Sequence, residues 1–343
     1  MKYQLRMYYA DALNQTAGSK ATRDCSEILS ELGYRHFDVP VYSNRNRLWN
    51  LCTLVKHVFE LYRLLKPGDQ VLLQYPLLGI NQRLRYLVAL LRRKGCRMIC
   101  LLHDLDSLRQ VHHAWTLEQE VSRLEAFDLL IVHNERMKAL LQAQGLKLEM
   151  RTLDLFDYLV PERVWQAMAQ GQGTAVSNLK IAFAGNLGKS VFLQQLDQLP
   201  GISFRLYGPG YETLPARPGM EWAGSFDADE LPAKLDATFG LIWDGDTIDG
   251  CTGYLGTYLQ YNNPHKASLY LLAGLPLIAP ERSAIGDFIR REGVGLTVSG
   301  LQELPELLEH LTQADYLRMK AATVPIARAL ASGSFLKQAL EGE

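Results

Sequence analysis

The pattern that most constrains this chain is a repeated alternation of short apolar segments with amphipathic ones along its whole length. Apolar segments separated by helical patterns are typical of parallel strands whose crossover helices cover both faces of a sheet. The rhythm starts at residues 2–10 and restarts at 179–184, after a small, polar stretch without periodicity at 170–177. Such a stretch indicates a linker. The pattern predicts an α/β protein with two doubly wound domains.

Chain length and the C-terminal segment set the predicted domain boundaries. A chain of 343 residues is longer than one ordinary hydrophobic core supports, which predicts two domains. We predict a Rossmann-like domain at residues 1–172, completed by the tail at about 326–343, and a second Rossmann-like domain at 178–325. The C-terminal helix is expected to cross back to the first domain. We expect the domains to face each other across a cleft, with ligands outside the carboxyl ends of the strands.

Charge and cysteine content restrict the partners and the compartment. The 36 basic and 37 acidic residues nearly cancel, which argues against nucleic acid as a partner. The five cysteines are odd in number and form no C-x-x-C pair, which predicts a reducing, cytoplasmic setting. No apolar run approaches the ~20 residues of a membrane helix. Residues 84–94 are both apolar and basic, which fits either a packed helix or peripheral contact with the inner face of a membrane.

The most informative segment for function is residues 260–278 (QYNNPHKASLYLLAGLPLI), which places Lys266 at the start of a short apolar helix. Helix N-terminal amides and a cation together form an anion site, for which a diphosphate is a common ligand. Asn263 lies beside the same helix start, and Asp287 lies at the start of the next predicted helix, 286–292. Asp287 could accept hydrogen bonds from ribose hydroxyls, although an aspartate there is also a common N-cap. These residues predict a phosphate-bearing ligand.

A second anion loop is predicted after the first strand of the second domain. Its residues, AGNLGKS from 184 to 190, include Gly185, Asn186 and Lys189 before a predicted helix. Phe183 stands where a P-loop requires glycine, so the backbone cannot wrap a phosphate in the usual way. We expect a diphosphate held from one side by Lys189 and the helix start. A solvated lysine on a surface turn is the alternative.

Two other predicted strand ends carry candidate ligand contacts. The loop at residues 14–20 offers the Thr16 hydroxyl and, at Gly18, a close approach of the backbone. A plain turn with an N-cap explains the same residues equally well. At 207–211, Tyr207 precedes two glycines and could stack on a planar base. A tight turn with a packed tyrosine is the alternative.

Acidic residues after predicted strands are the candidates for catalysis. His103 and Asp104 end an apolar strand of the first domain, and Asp104 is the first candidate for a base that takes a proton from an acceptor hydroxyl. A helix cap for Asp104 and a hydrogen-bonded core imidazole for His103 are the alternatives. The segment 244–246 (DGD) resembles the D-x-D that binds a divalent metal in one class of sugar transferases, but two carboxylates alone are a weak metal signal. Four residues are expected to line the donor-sugar or acceptor end of the cleft: Asp244, Asp246, Asp249 and Tyr254.

Three of these segments carry a resemblance to a known family. They are FAGNLGKS at 183–190, GLIWDGD at 240–246 and YNNPHK at 261–266. They resemble bacterial glycosyltransferases of the galactofuranosyltransferase and glucosyltransferase-3-like group, as do residues 155–158 and the strand end at His103. The resemblance covers essentially the whole chain. It implies a GT-B fold, a UDP-sugar donor, catalysis without a metal and an acceptor in a surface glycan or glycoprotein.

The resemblance also implies site residues and a possible homo-oligomer. Six residues fall on positions that look like the UDP site of the family: Thr16, Asn186, Lys189, Tyr207, Asn263 and Lys266. A departing UDP carries developing negative charge, which lysines and helix-end amides stabilise without a metal. An inverting transfer then requires a base such as Asp104.

We therefore predict a glycosyltransferase that moves a hexose from a UDP-sugar to a glycan or lipid-linked glycan acceptor, without a cofactor. The hexose can be galactofuranose, galactose or glucose. One alternative is a non-catalytic partner of a transferase that binds UDP-sugars, and another is a sugar-nucleotide epimerase of the same architecture. A P-loop phosphotransferase is disfavoured by Phe183.

Overall fold

The computed structural model describes residues 1–9, 17–42, 47–77, 84–109, 116–170, 179–214 and 219–343. The chain forms two compact units. The first consists of Met1–Leu153 together with Leu336–Glu343, and the second of Asp154–Phe335. The second unit is therefore one continuous segment placed between two parts of the first. No helix of the described residues combines the length and the apolar character needed to cross a membrane.

The first unit is a six-stranded parallel sheet with helices in its connections. Its strands are β1 (Lys2–Tyr9), β2 (Tyr34–Val41), β3 (Gln70–Tyr75), β4 (Arg97–Leu102), β5 (Leu129–Val132) and β6 (Glu149–Thr152). Its helices are α1 (Ala17–Glu31), α2 (Arg47–Leu64), α3 (Leu84–Arg93), α4 (Asp106–Arg109), α5 (Leu117–Leu124) and α6 (Glu135–Ala143). The strand order is β2-β1-β3-β4-β5-β6, so the order reverses between β1 and β3.

The second unit is also a six-stranded parallel sheet. Its strands are β7 (Lys180–Ala184), β8 (Ser203–Tyr207), β9 (Met220–Gly224), β10 (Phe239–Leu241), β11 (Leu277–Pro280) and β12 (Gly295–Val298). Its helices are α7 (Glu162–Gln170), α8 (Gly253–Tyr258), α9 (His265–Leu272), α10 (Ala284–Glu292), α11 (Leu304–Glu309) and α12 (Gln313–Ala331). The order β12-β11-β10-β7-β8-β9 is the dinucleotide-binding order and reverses between β7 and β10. The prediction of two doubly wound α/β domains is confirmed.

Two hydrophobic clusters cover the two faces of the second sheet. Ile181 and Phe183 of β7 belong to one cluster, and Ala182 and Ala184 belong to the other. This division follows from the alternation of side chains along a strand. Both faces of the central strands β7, β10 and β11 are buried, which explains why these strands are almost uniformly apolar.

The start of the second unit lies earlier than the polar stretch at 170–177 suggests. Leu155, Tyr158 and Met168 are buried in the same hydrophobic cluster as Ala182 of β7. These residues and helix α7 therefore pack with the second sheet. The stretch 171–178 lies outside the described residues.

The end of the chain completes the first unit. The last helix, α13 (Ser334–Ala339), leads to Glu343, whose side chain is only 5% exposed. Its carboxylate accepts hydrogen bonds from Arg97 at 2.7 Å and Arg151 at 3.1 Å. Lys2 of β1 donates to the Glu343 main-chain oxygen at 2.6 Å. The two ion pairs and the Lys2 hydrogen bond bind the last residues to the amino ends of β4 and β1 and to β6.

The sequence pattern predicts a helix over residues 21–32, and helix α1 begins four residues earlier, at Ala17. Lys20 and Asp24, one turn apart and each 2% exposed, form an ion pair of 2.5 Å that stabilises its first turns. Gly18 consequently lies within the helix, which corrects the prediction that it forms a loop. Thr16 lies outside the described residues.

Candidate active site

The carboxyl ends of β7 and β10 form the point of the second sheet where ligand binding is expected. The chain leaves these adjacent strands toward opposite edges of the sheet, which opens a crevice at their ends. The loop after β7 contains Gly185 and Asn186, and the loop after β10 contains Trp243 and Asp244.

Lys266, in the first turn of α9, reaches this crevice. Its ammonium lies 3.1 and 3.3 Å from the two carboxylate oxygens of Asp244 and 3.5 Å from the carbonyl oxygen of Trp243. The same ammonium lies 4.7 Å from the centroid of the Phe183 ring at the end of β7, within range of a cation–π interaction. The predicted cation is therefore at the switch point of the sheet. Its partner Asp244 was predicted as a sugar contact, and the ion pair between them was missed.

The loops after β7 and β8 pack backbone against backbone. The Gly185 amide donates to the Tyr207 carbonyl at 3.0 Å, and the Leu187 amide donates to the Pro209 carbonyl at 2.9 Å. A Cβ on Gly208, whose φ is +129°, would lie 2.0 Å from the Gly185 carbonyl oxygen. A Cβ on Gly210 would lie 2.5 Å from the main-chain nitrogen of Gly188 in the loop after β7. Only glycines permit this approach, so the loops after β7 and β8 form one rigid unit. We call these two packed loops the rim.

Alanine at position 208 is expected to lower the free energy of unfolding by roughly 2–4 kcal/mol, because it combines a strained φ with a steric clash. Urea denaturation of Gly208→Ala measures this loss. Gly201→Ala is the matched control, since Gly201 also has a positive φ, +76°, but no atom lies within 4 Å of its added Cβ. Equal losses for the two variants would contradict the packing described for the rim.

Lys189, in the loop after β7, does not lie at the start of an α-helix as predicted. Residues Leu187–Lys189 and Val191–Gln198 are 3₁₀ helices rather than the start of an α-helix. The helix-dipole contribution expected there is therefore weak, because few aligned peptide units follow. Asn186 and Lys189 are exposed, and Lys189 makes no ion pair with any residue in the described segments. Both side chains are available for a ligand.

Tyr207 is a core residue, which corrects the prediction that its ring stacks on a base. The side chain is 1% exposed and its hydroxyl accepts a hydrogen bond from the Asp236 amide at 2.9 Å. Burial is also the main reason that the pKa of this phenol is raised. An accessible aromatic pair lies nearby instead: Tyr211 and Trp222 stack with centroids 5.6 Å apart, and the Trp222 indole donates to the Gly208 carbonyl at 3.1 Å. Sequence reasoning missed Trp222, because the edge strand β9 carries no recognisable motif.

Asn263 and Asp287 are engaged in contacts within the second unit. Asn263, 5% exposed, donates its side-chain amide to the Asp154 carbonyl at 2.6 Å. Asp154 has a left-handed φ of +65°, so Asn263 stabilises an unusual turn at the start of the unit. Asp287 lies in the first turn of α10 and pairs with Arg290, while Ser283 is the N-cap. The assignment of Asn263 and Asp287 to a ligand site stays a prediction.

The loop after β10 carries the other predicted donor-sugar residues. Asp246 and Asp249 are exposed, and Tyr254 of α8 is 49% exposed. The loop is compact, because a Cβ on Gly256 would lie 2.6 Å from the Asp244 carbonyl oxygen. This compactness fixes the Asp244 carboxylate beside Lys266.

Asp244→Asn is expected to strengthen UDP binding by roughly five- to tenfold at low salt, because it removes the anion that competes for Lys266. Isothermal titration calorimetry with UDP measures the change. Asp246→Asn is the matched control, since this exposed carboxylate two residues away has no ion pair among the described residues. Unchanged or weaker UDP binding by Asp244→Asn would argue against a phosphate at Lys266.

A pocket of about 270 Å³ opens near the carboxyl ends of β11 and β12. Its wall includes Cys251, Thr252, Gln260 and Glu281. Burial raises the pKa of the Cys251 thiol to about 12. The thiol is therefore protonated near neutral pH and is a poor nucleophile, so the pocket offers polar contacts rather than covalent chemistry.

In the first unit, His103 follows β4 and is oriented by Gln74 of β3. Gln74 donates its side-chain NH₂ to the Ser26 hydroxyl at 2.9 Å and to the Thr22 carbonyl at 3.2 Å. Its amide oxygen consequently faces Nε2 of His103 at 2.7 Å, and Nε2 carries the proton of that hydrogen bond. The neutral ring then has its lone pair on Nδ1. Gln74, which sequence reasoning missed, thus sets the tautomer of His103.

Asp104 is partly exposed and forms an ion pair with Arg109 of α4. The guanidinium orients the carboxylate at the carboxyl end of the first sheet. A different carboxylate caps the helix: Glu120 accepts from the Asp106 amide at 2.9 Å and from the Ser107 amide at 3.0 Å. Glu120 is 1% exposed and also accepts from the Tyr75 hydroxyl at 2.6 Å. The helix-cap role suggested for Asp104 therefore belongs to Glu120, and the Asp104 carboxylate remains partly exposed.

Among the described residues, no group of three or more His, Cys, Asp or Glu side chains is placed to hold a metal ion. The Asp244 carboxylate of the D-G-D segment is paired with Lys266.

Comparisons with known proteins agree with this architecture. Residues 2–155 match the glucosyltransferase 3-like N-terminal domain, and residues 181–342 match the glucosyltransferase 3-like C-terminal domain. The chain is 29% identical to the beta-1,6-galactofuranosyltransferase WbbI of Escherichia coli (strain K12), over 98% of this chain and 97% of that protein. It is 24% identical to glucosyltransferase 3 of Streptococcus gordonii, over 80% and 78% of the two chains.

Among solved structures, HepE of Anabaena in complex with UDP superimposes with a TM-score of 0.57 at 14% identity, over 98% of both chains. This likeness shows a shared fold. Both family domains are matched in order over nearly the whole chain, and this protein therefore belongs to the glucosyltransferase 3-like family of glycosyltransferases with the GT-B fold.

Proposed function

We propose that this glycosyltransferase moves a hexose from a UDP-sugar to a hydroxyl of a glycan or lipid-linked glycan acceptor used in a bacterial surface polysaccharide or glycoprotein. The observation that carries the proposal is the Lys266 ammonium at the switch point between β7 and β10, beside the N-terminus of α9. Such a point of an α/β sheet suits a nucleotide diphosphate. The names of the relatives and the UDP in the HepE structure support this choice.

The second unit is assigned the UDP-sugar, and the first unit is assigned the acceptor and the base. Lys266 and the exposed Lys189 would stabilise the negative charge that develops on the departing UDP. Gly185 and Asn186, in the loop after β7, would contact the diphosphate. The hexose would be contacted by four residues after β10: Asp244, Asp246, Asp249 and Tyr254. Because two lysines supply the positive charge, we propose that transfer does not require a metal.

The relatives favour galactofuranose as the first hexose to test, because the galactofuranosyltransferase matches over nearly its whole length. Galactose and glucose remain within the proposal. The proposal also includes a homo-oligomer. It places the protein at the inner face of the membrane, because a lipid-linked acceptor lies there.

The test is a donor panel of UDP-galactofuranose, UDP-galactose, UDP-glucose and ATP. Thermal stabilisation by UDP-sugars but not by ATP is expected, and product analysis with a glycan acceptor should show transfer that persists in EDTA. Conversion of the donor into an isomeric UDP-sugar without acceptor would identify an epimerase. Binding of donors without any transfer across an acceptor panel would favour a non-catalytic partner.

A further inference from the structure

Helix α2 presents a row of large apolar side chains to solvent. Leu48, Trp49, Val55, Phe59 and Leu64 are each between 48% and 67% exposed. Leu48, Val55 and Phe59 recur at helical spacing on one side, while Leu54 and Leu61 point into the core. Scattered apolar residues are ordinary on a surface, but Leu48, Val55 and Phe59 share one side of the helix, which indicates a contact with a partner.

Helix α3 extends this surface with two more apolar residues. Tyr86 and Leu90 are 60% and 39% exposed, whereas Leu84, Leu87, Val88 and Leu91 are buried. The crossovers β2–β3 and β3–β4 run in the same direction along the sheet, so right-handed connections put α2 and α3 on one face. At their ends, the Lys94 ammonium lies 4.3 Å from the Tyr62 ring centroid and donates to the Tyr62 carbonyl. We call these exposed residues of the two helices the α2–α3 face.

The α2–α3 face is basic, although the whole chain has a net charge of −1. Its exposed cations are Lys56, Arg63, Arg85, Arg92 and Arg93. Lys56 lies 3.9 Å from Glu60, the one acidic residue in the sequence of the two helices, and Arg92 pairs with Asp128 at 2.9 Å. Two of the cations lie over the exposed aromatic rings. The Arg63 guanidinium is 5.8 Å from the Phe59 centroid, and that of Arg85 is 4.7 Å from the Tyr86 centroid.

We propose that the α2–α3 face binds the surface of a bilayer that contains anionic lipids. Aromatic and aliphatic side chains would enter the boundary between headgroups and acyl chains, while the cations contact lipid phosphates. A second copy of the chain fits this face less well, because a two-fold contact sets the same patch against itself and would oppose like charges. The inference is independent of the donor site, since Lys266 lies in the other unit.

Cosedimentation with vesicles tests the proposal on the full chain. The protein should bind vesicles of phosphatidylcholine mixed with phosphatidylglycerol and should be released by high salt, while binding phosphatidylcholine alone weakly. Val55→Ser/Phe59→Ser and Arg85→Gln/Arg93→Gln should each weaken binding to the mixed vesicles by about tenfold or more. Retained thermal stability shows that each variant is folded.

Val191→Ser/Leu317→Ser is the matched control, because both residues are exposed apolar side chains of the second unit. This control should bind vesicles like the unmodified protein. The proposal is overturned if the unmodified protein ignores anionic vesicles or if either α2–α3 variant binds as well as the control. It is also overturned if these variants instead dissociate an oligomer in size-exclusion chromatography, since the face would then be a subunit interface.

Discussion

Lys266→Ala is expected to remove the thermal stabilisation of this protein by UDP and UDP-sugars. The ammonium is the cation held at the switch point of the second sheet, and its loss leaves the Asp244 carboxylate unpaired where a diphosphate would bind. Losing a charge-assisted contact and gaining a repulsion should raise the Kd for UDP on the order of 100-fold. Isothermal titration calorimetry and thermal shift both measure this change.

The matched control is Lys180→Ala. Lys180 also belongs to the second unit and pairs with an aspartate, Asp236, at 2.9 Å. It stands at the amino end of β7, on the edge of the sheet opposite Lys266. UDP should therefore stabilise this variant as much as the unmodified protein. If UDP stabilises Lys266→Ala to the same extent as Lys180→Ala, Lys266 does not bind the diphosphate and the proposed donor site is wrong.

Asp104→Asn is expected to lower kcat by about 10²–10⁴-fold, the usual contribution of a general base. The affinity for UDP should stay unchanged, because the residue belongs to the first unit and the nucleotide is assigned to the second. The asparagine keeps the size of the side chain and a hydrogen-bond acceptor toward Arg109. Initial rates at saturating donor, together with UDP titrations, separate the two effects.

His103→Gln decides between the two candidate bases. Gln74 holds the imidazole with Nε2 protonated, a tautomer that leaves Nδ1 as the basic nitrogen. If turnover collapses in His103→Gln while Asp104→Asn keeps near-normal rates, the base is the histidine. Near-normal turnover in both variants would remove the catalytic role from this strand end.

The fold was largely predictable because a buried parallel sheet imposes a repeating apolar pattern on the sequence. The apolar pattern predicts strands at 203–207 and 295–298, which are the bounds of β8 and β12, and the helix carrying Lys266 begins one residue before its predicted start. The predicted start of α1 was wrong, because the Lys20–Asp24 ion pair extends the helix through residues that have turn composition. Local sequence does not reveal which polar residues a helix can pair internally.

Within the site, positions after strands were easier to predict than the contacts of individual side chains. The strand-end rule led to Lys266 and Asp244, but nothing local indicates that these two residues form an ion pair across the loop. Tyr207 shows that a position at a strand end does not reveal whether the side chain is buried. A tyrosine that ends a strand has the same sequence pattern whether it is buried or lies against a ligand, and here its hydroxyl is occupied by the Asp236 amide.

The interrupted layout of the first unit has a consequence for biosynthesis. Its closing ion pairs, from Arg97 and Arg151 to Glu343, cannot form until the entire intervening segment Asp154–Phe335 has emerged from the ribosome. The inserted segment is contiguous and can fold during translation, as domains commonly do. The half of the protein that is synthesised first is therefore the half that is finished last.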